Sequence, residues 1–393
     1  MPGEASQHNP KQPKQVSMFS ELSEKLGMDH AIFAFSHCRD VVAGVSNSGG
    51  MGVLGAGWLS PEQLAEELNW LDEHVEGGYG VDVVIPQKYE GMDEVDPEAL
   101  EAKLWKQIPG EHVDLANRLL NDHGVPEWPE DMPHSEPTLP GATYATALPL
   151  VLEALKRPKC KVIVNALGTP PADIVEMVHD SGRLIGALCG KVKQAVSHKN
   201  AGLDFVVAQG GEGGGHTGEI GSVVLWPQIV DAIAPLPMLA AGGVGNGRQM
   251  LAAMSTGAAG VWTGSLWLTV EEAAGQPAQK ESYLKATSED TVRSRAWTGK
   301  HARLIKNEWT KSWDAENTPE PLGMPMQFMV SADARRRTEL YAGVGKAQDV
   351  AMNPVGQVIG QLNQVESCRD VIYRLLEEYV DALEHVNKLM PSD

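Results

Sequence analysis

DFVVAQGGEGGGHTGEIGS, residues Asp204 to Ser222, runs from an apolar segment through Gln209 into six glycines within nine residues. Glycine loses more backbone entropy on folding than any other residue, so such a run needs a local cause. Glu212 and His216 are the side chains there that can move a proton. One cause is a flexible surface loop. The other is a loop that brings bare backbone against a bound group while aiming one imidazole. The stretch is preceded by an apolar run of strand length, Asp204 to Ala208, and followed by an apolar helical pattern, Val223 to Ile233. A loop carried between two such rigid elements is a common place for function.

The same alternation extends on both sides. Downstream come a strand at Met238 to Ala241, the loop GGVGNG, a helix at Arg248 to Ser255, and a strand at Gly260 to Thr263 that ends in Gly264-Ser265. Upstream, strands at Lys161 to Ala166 and Arg183 to Leu188 alternate with helices at Tyr144 to Lys156, Ala172 to Asp180 and Val192 to Ala201. Earlier still, Ala31 to Phe35, Gly52 to Leu54 and Tyr79 to Ile85 read as strands. A helix at Pro61 to His74 carries its own start signals: Ser60 as N-cap, Pro61 at the first helical position and Gln63 at the capping-box position.

This gives eight strands, most of them followed by a helix. Near-continuous apolar strands separated by helices imply a parallel sheet covered on its outer face. The expected fold is therefore α/β, a (β/α)8 TIM barrel, in which the loops after the strands build the active site. A doubly wound open sheet would place its phosphate loop after the first strand. Here the glycine loops follow the sixth and seventh strands, with Gly264 after the eighth.

Three segments depart from the repeat. Residues 1–27 read as an N-terminal arm and short helix. Residues 86–141 form an insertion with helical patterns at Pro97 to Gln107 and Glu111 to Asp122, followed by the proline-rich EWPEDMPHSEPTLPG. Residues 271–349 read as a helical lobe over the C-terminal mouth, with a helical stretch near Gln279 to Ser288. The barrel itself is expected to comprise residues 28–270 together with 350–393, closing on an amphipathic helix from Cys368 to Leu389.

The chain has 393 residues, with 52 acidic against 32 basic residues and a formal charge of −20. This balance argues against nucleic-acid binding, which demands a basic surface. The four cysteines, Cys38, Cys160, Cys189 and Cys368, are far apart and form no CxxC pair, so they predict no zinc site. Their scatter fits a reducing, cytoplasmic setting. No apolar segment reaches the roughly 18 residues of a membrane span, and the N-terminus lacks the apolar centre of a signal peptide.

Several residues can carry chemistry. Gly242, Gly243, Gly264 and Ser265 lie in the loops after strands seven and eight, which in a barrel frequently cradle a phosphate with backbone N–H groups. His216 stands where a side chain would face the mouth and can act as a general base near neutral pH. Glu212 could orient it, but solvation or a structural hydrogen bond suits it better. His37, Cys38 and Arg39 follow the first strand, and adjacent residues on an extended segment point to opposite sides. Gly50 to Gly55 and Gly213 to Gly218 both spell G-x-G-x-x-G; the first fails the strand-to-helix context of a dinucleotide fingerprint because its last part is itself a strand, and the second partly qualifies but lies past mid-chain and is better explained by the barrel. Ligand spacing supports no metal site.

The ordered set AQGGEGGGHTG, AAGGVGNGRQM, GAAGVWTGSLWLT and SNSGGMGVLGAG, with the closing NPVGQVIG, strongly resembles the nitronate monooxygenase family, formerly called 2-nitropropane dioxygenases. The resemblance runs from about Ala31 to Val270. It implies an FMN-containing TIM barrel with a helical lobe over the flavin, and a small-molecule substrate oxidised with O2. The FMN phosphate would lie on Gly242, Gly243, Gly264 and Ser265. Gln209 and Gly210 would lie near the isoalloxazine, with Gly214 and Gly215 among the cofactor contacts. His216 matches the family's catalytic histidine, which positions an anionic nitronate or deprotonates a neutral nitroalkane. Many members carry an Ala-Pro-Met type segment after the first strand, where this chain has Phe35-Ser36-His37-Cys38-Arg39. That departure keeps a second reading open: a flavin-dependent NAD(P)H-linked reductase of an enoyl or acyl thioester or a quinone, in which Arg39 serves an anionic substrate.

Overall fold

The computed structural model describes residues 20–85, 97–132 and 144–390. Its sheet strands are β1 (Ile32–Ser36), β2 (Met51–Gly55), β3 (Tyr79–Val83), β4 (Cys160–Asn165), β5 (Leu184–Cys189), β6 (Phe205–Gln209), β7 (Gly215–His216), β8 (Met238–Ala241), β9 (Gly260–Thr263), β10 (Thr291–Ser294) and β11 (Ala302–Ile305). Eight of them, β1-β2-β3-β4-β5-β6-β8-β9, pair in parallel and close into a barrel through β1 and β9. The expected (β/α)8 fold is thus the observed one.

Strand alternation sorts the apolar side chains into two layers. Phe33, Val53, Val164, Phe205, Leu239 and Trp262 point inward and fill the barrel. Val81, Val83, Ile163 and Ile185 point outward and meet helix residues such as Leu64, Leu68 and Val151. Burying one such side chain is worth about 1.5–3 kcal/mol, so both layers contribute to closure.

The helices are α1 (Glu21–Leu26), α2 (Arg39–Ser46), α3 (Pro61–His74), α4 (Pro97–Trp105), α5 (Gly110–Asp122), α6 (Tyr144–Leu155), α7 (Ala172–Asp180), α8 (Val192–Asn200), α9 (Ser222–Ile233), α10 (Gly247–Ser255), α11 (Pro277–Lys285), α12 (Glu308–Trp313), α13 (Met326–Leu340) and α14 (Cys368–Lys388). The Ser60 capping box forms in both directions: Ser60 Oγ accepts from Gln63 N at 3.2 Å, and Ser60 N donates to Gln63 Oε1 at 2.9 Å. Such a cap is worth about 1 kcal/mol. After β9 the chain makes one 3-10 turn, Ser265–Leu268, and leaves the barrel. It returns at its end, where α14 buries Val371, Ile372 and Leu375 against the helices and strands beside β1 and β8.

The excursion builds a lobe together with the insertion. Leu115 and Leu119 of α5 pack with Trp309 and Trp313 of α12 and with Val330 of α13. Trp309 also donates its indole N–H to Ala296 O at 3.1 Å. The lobe is not purely helical: β10, β11 and β7 form a small antiparallel sheet. Most of the proline-rich connector lies outside the described residues. Among the described residues no helix is long and apolar enough to cross a membrane.

Candidate active site

The C-terminal ends of the barrel strands form a mouth under this lobe, and the long loop after β6 is its most constrained wall. Gly210 is packed so closely that a Cβ there would lie 2.1 Å from Ser222 Oγ. At Gly214 a Cβ would lie 2.7 Å from the backbone of Val355 and Gly356, part of the closing NPVGQVIG segment. These two glycines therefore make room for protein. Gly215 and Gly264 differ, because nothing lies within 4 Å of where their side chains would begin.

Polar groups lock the same loop. Gln209 Nε2 donates to Gly214 O at 3.0 Å, and Arg303 of β11 donates twice to Gly211 O, at 3.0 and 2.8 Å. The Glu212 carboxylate accepts from Ser222 N at 2.9 Å and from Ser222 Oγ at 2.7 Å. It thus sits on the N-terminus of α9, where the helix dipole favours an anion. Gly242 and Gly243, in the loop after β8, take positive φ values of 84° and 77°. Ser265 Oγ accepts from Gly356 N at 2.8 Å, which leaves its own proton free to donate.

His216 is held by the lobe rather than by the barrel. Its residue pairs with Ala302 of β11, its Nε2 lies 2.7 Å from Thr298 Oγ1, and its ring stacks on Trp297 at a centroid distance of 5.8 Å. The imidazole is accessible from the mouth but enclosed by protein elsewhere. That enclosure, and secondarily the Lys300 ammonium, pushes its pKa down to about 4. Burial lowers the pKa of Lys300 as well. Thr298 Oγ1 also lies 3.3 Å from both the N and the O of Lys300. Two proton arrangements satisfy this cluster: Thr298 donates to His216 Nε2, or it accepts from it and donates to Lys300 O.

The three candidates after β1 separate. His37 Nδ1 donates to Gly55 O at 2.9 Å, and its ring meets Phe35 edge-on at 5.1 Å. Burial lowers its pKa, and the nearby Arg335 guanidinium adds to that. Cys38 turns outward as the N-cap of α2, its Sγ 3.3 Å from Glu272 O. Arg39 pairs with Glu67 at 3.4 Å and lies over the Trp70 ring at 4.8 Å. Of the adjacent pair His37 and Cys38, of which one side chain was expected to face the site, His37 stays against β2 and Cys38 turns to Glu272, while α2 begins at Arg39 and lays that side chain on α3.

Sequence reasoning missed Asp82, Thr298, Trp297 and Lys300. Asp82 is inward-facing on β3, opposite Gly55 of β2 and Val164 of β4, and only 3% exposed. Its Oδ2 is buried without a hydrogen-bond partner, and burial raises its pKa well above the carboxylate range. A signal was available: an acidic residue amid the apolar YGVDVVI of a parallel strand needs an explanation. For the other three there was none, since they reach His216 only through tertiary pairing.

Relatives and solved structures agree with this architecture. A Mycobacterium tuberculosis protein with a provisional monooxygenase name is 44% identical over 376 residues, covering 95% of this chain and all of its own length. A Staphylococcus aureus protein with a provisional nitronate monooxygenase name is 26% identical, covering 88% of this chain and 98% of its own. The crystal structure of a nitroalkane oxidase from Streptomyces ansochromogenes superposes with a TM-score of 0.74 at 21% identity, covering 93% of this chain and 99% of that one, a likeness of fold. The family profile described as nitronate monooxygenase matches residues 32–378, so the chain belongs to the nitronate monooxygenase family.

Proposed function

We propose that the protein is an FMN-dependent monooxygenase that takes alkyl nitronates, as anions, and with O2 yields a carbonyl compound and nitrite. The observation that carries the anionic choice is that Thr298 and Trp297 hold the His216 ring within the electrostatic reach of the Lys300 ammonium. A general base works best with a pKa near the operating pH. An imidazole held at about 4 is a poor group for removing a proton from a neutral nitroalkane. Beside a cation it is well suited to hold a substrate that is already negative. We assign the Thr298 proton to His216 Nε2 on the shorter 2.7 Å contact, against 3.3 Å to Lys300 O. The ring then keeps its own proton on Nδ1, available to a nitronate oxygen.

Family membership implies a flavin, and the residues present fit one. The open space at Gly264 and the unused Ser265 proton suit a phosphate, with Gly242 and Gly243 supplying neighbouring backbone. Phe35 and Trp262, stacked at 6.4 Å, give the mouth an apolar floor. When bound, the flavin supplies the electron chemistry, and the protein supplies orientation and electrostatics. His216 positions the substrate and Lys300 offsets its charge, while Trp297 holds the imidazole ring. The reductase reading drew its anion partner from Arg39, which is committed to Glu67 and Trp70.

The test is direct. The purified protein should release FMN on denaturation, and with propyl-2-nitronate in air it should consume oxygen and produce nitrite. Oxygen uptake and nitrite both at the no-enzyme level would rule the proposal out.

A further inference from the structure

The β10–β11 hairpin carries a charge pattern that the proposed reaction leaves unexplained. Thr291 to Asn307 holds Arg293, Arg295, Lys300, Arg303 and Lys306 with no Asp or Glu among them, in a chain of formal charge −20. Two of these cations stand side by side. Arg293 of β10 and Arg303 of β11 are register partners, and Arg303 is paired on its other side with Gly215 of β7. Partners across a ladder present their side chains on one face of the sheet, and the neighbouring row uses the other face. Arg293 and Arg303 thus project together from one face, while Ser294, Ala302 and His216 form the next row and belong to the opposite one. Like charges set directly opposite each other destabilise a sheet unless something neutralises them.

The neighbouring side chains supply little of that counter-charge. The Arg293 side chain is 23% exposed, its Nε is enclosed without a hydrogen-bond partner, and its ion-pair partner, Glu219 Oε1, lies 3.9 Å away on a side chain that is 78% exposed. That separation is too long for a hydrogen bond, and so exposed a pair contributes little. Glu212 lies within electrostatic reach of Arg303 but spends its carboxylate on Ser222 N and Oγ. Arg303 has committed part of its fork, to Gly211 O and to Thr291 Oγ1 at 3.0 Å. Native structures seldom leave an enclosed donor such as Arg293 Nε–H unsatisfied, so the pair points to a missing anion. Room for it exists beside Arg303, since nothing lies within 4 Å of where a Gly215 side chain would begin.

We propose that Arg293 and Arg303 form a phosphate-binding site on the face of the lobe sheet away from His216, for a phosphate ion or the phosphate group of an organic ester. A tetrahedral dianion offers acceptors on several sides and neutralises both guanidinium groups at once, whereas a carboxylate presents two oxygens in one plane. The site shares no residue with the set assigned to the flavin phosphate, Gly242, Gly243, Gly264 and Ser265. Its occupant would tie β10 to β11 and so brace the strand that pairs with His216.

The experiment titrates the full-length chain with inorganic phosphate and with glycerol 3-phosphate by calorimetry, in chloride buffer of constant ionic strength with FMN in excess to fill the flavin site. Wild type should bind at least one of the two, and tighter binding of the ester identifies an organic phosphate as the occupant. Arg293→Met should bind about tenfold more weakly, the effect of one lost charge-assisted contact. Melting in chloride alone gives a second reading. Arg293→Met removes a like-charge contact, so it should melt no lower than wild type, and added phosphate should raise the wild type's melting temperature but not the variant's. A wild type that binds neither probe, or an Arg293→Met that binds them as tightly as wild type, would overturn the inference, as would phosphate raising both melting temperatures equally. A variant that does not fold passes the decision to Arg293→Gln under the same criteria.

Discussion

Two titratable side chains on opposite sides of the mouth, His216 and Asp82, differ in what surrounds them. On the lobe side His216 is neutral with a protein partner in Thr298 and a cation beside it in Lys300. On the barrel side Asp82 is neutral with neither. The difference teaches that desolvation fixes the charge state, while the available partners fix the role. The Thr298-bound imidazole is oriented toward one task, whereas the enclosed Asp82 carboxyl, with no partner, is favoured in its protonated form by the apolar side chains around it.

Removing the oriented group should have the largest effect. His216→Ala is expected to lower kcat/KM for propyl-2-nitronate by about 10²–10³, in the range found for positioned donors and proton-handling groups, with the flavin still bound. A loss below threefold in steady-state assays would remove His216 from the site. Next comes the cation. Lys300→Met should raise KM for the anion about tenfold, as the loss of a charge-assisted contact does, with a smaller change in kcat. An unchanged KM would separate Lys300 from substrate.

The acid side gives a stability effect of opposite sign. The Asp82 pKa is raised in the fold, so above the ordinary carboxylate pKa of about 3.9 the unfolded chain gives up a proton that the native chain keeps. Native stability then falls as pH rises above that value, until the folded pKa is reached. Asp82→Asn cannot ionise. Its melting temperature should exceed the wild type's at pH 7–8, and the gap should close as pH falls toward 4. Equal melting curves across that range would show Asp82 to be ionised and solvated. Smallest of all is Arg39→Ala, which touches neither side: KM should not change, and stability should fall by no more than about 1 kcal/mol, as for a partly exposed pair.

The barrel was legible in the sequence because its strands are apolar on both faces and its helices carry local start signals. Ser60, Pro61 and Gln63 fix the start of α3 without help from the rest of the fold. The lobe was not legible in the same way. β10 and β11 are four-residue strands that pair with each other locally, and the two-residue β7 joins them only by pairing across more than 80 positions. His216 could thus be singled out from its loop, but not its distance from Thr298 or the charge that sits beside it. The glycines show the limit most clearly. Their number signals close approach, yet only the packed chain reveals that Gly210 and Gly214 yield to protein while Gly215 and Gly264 face open space. Arg39 shows the converse, since proximity in sequence to a mouth strand did not survive the turn into α2.

The central claim is that the mouth is built for an anion that arrives already formed. It is tested most directly by mixing the flavin-loaded protein anaerobically with propyl-2-nitronate or with neutral 2-nitropropane at pH 7 and following the flavin absorbance in a stopped-flow instrument. The account predicts rapid bleaching by the nitronate, and bleaching by the nitroalkane at least about 10² slower, on the scale of lost general-base catalysis. Equal rates, or faster bleaching by the neutral nitroalkane, would contradict it.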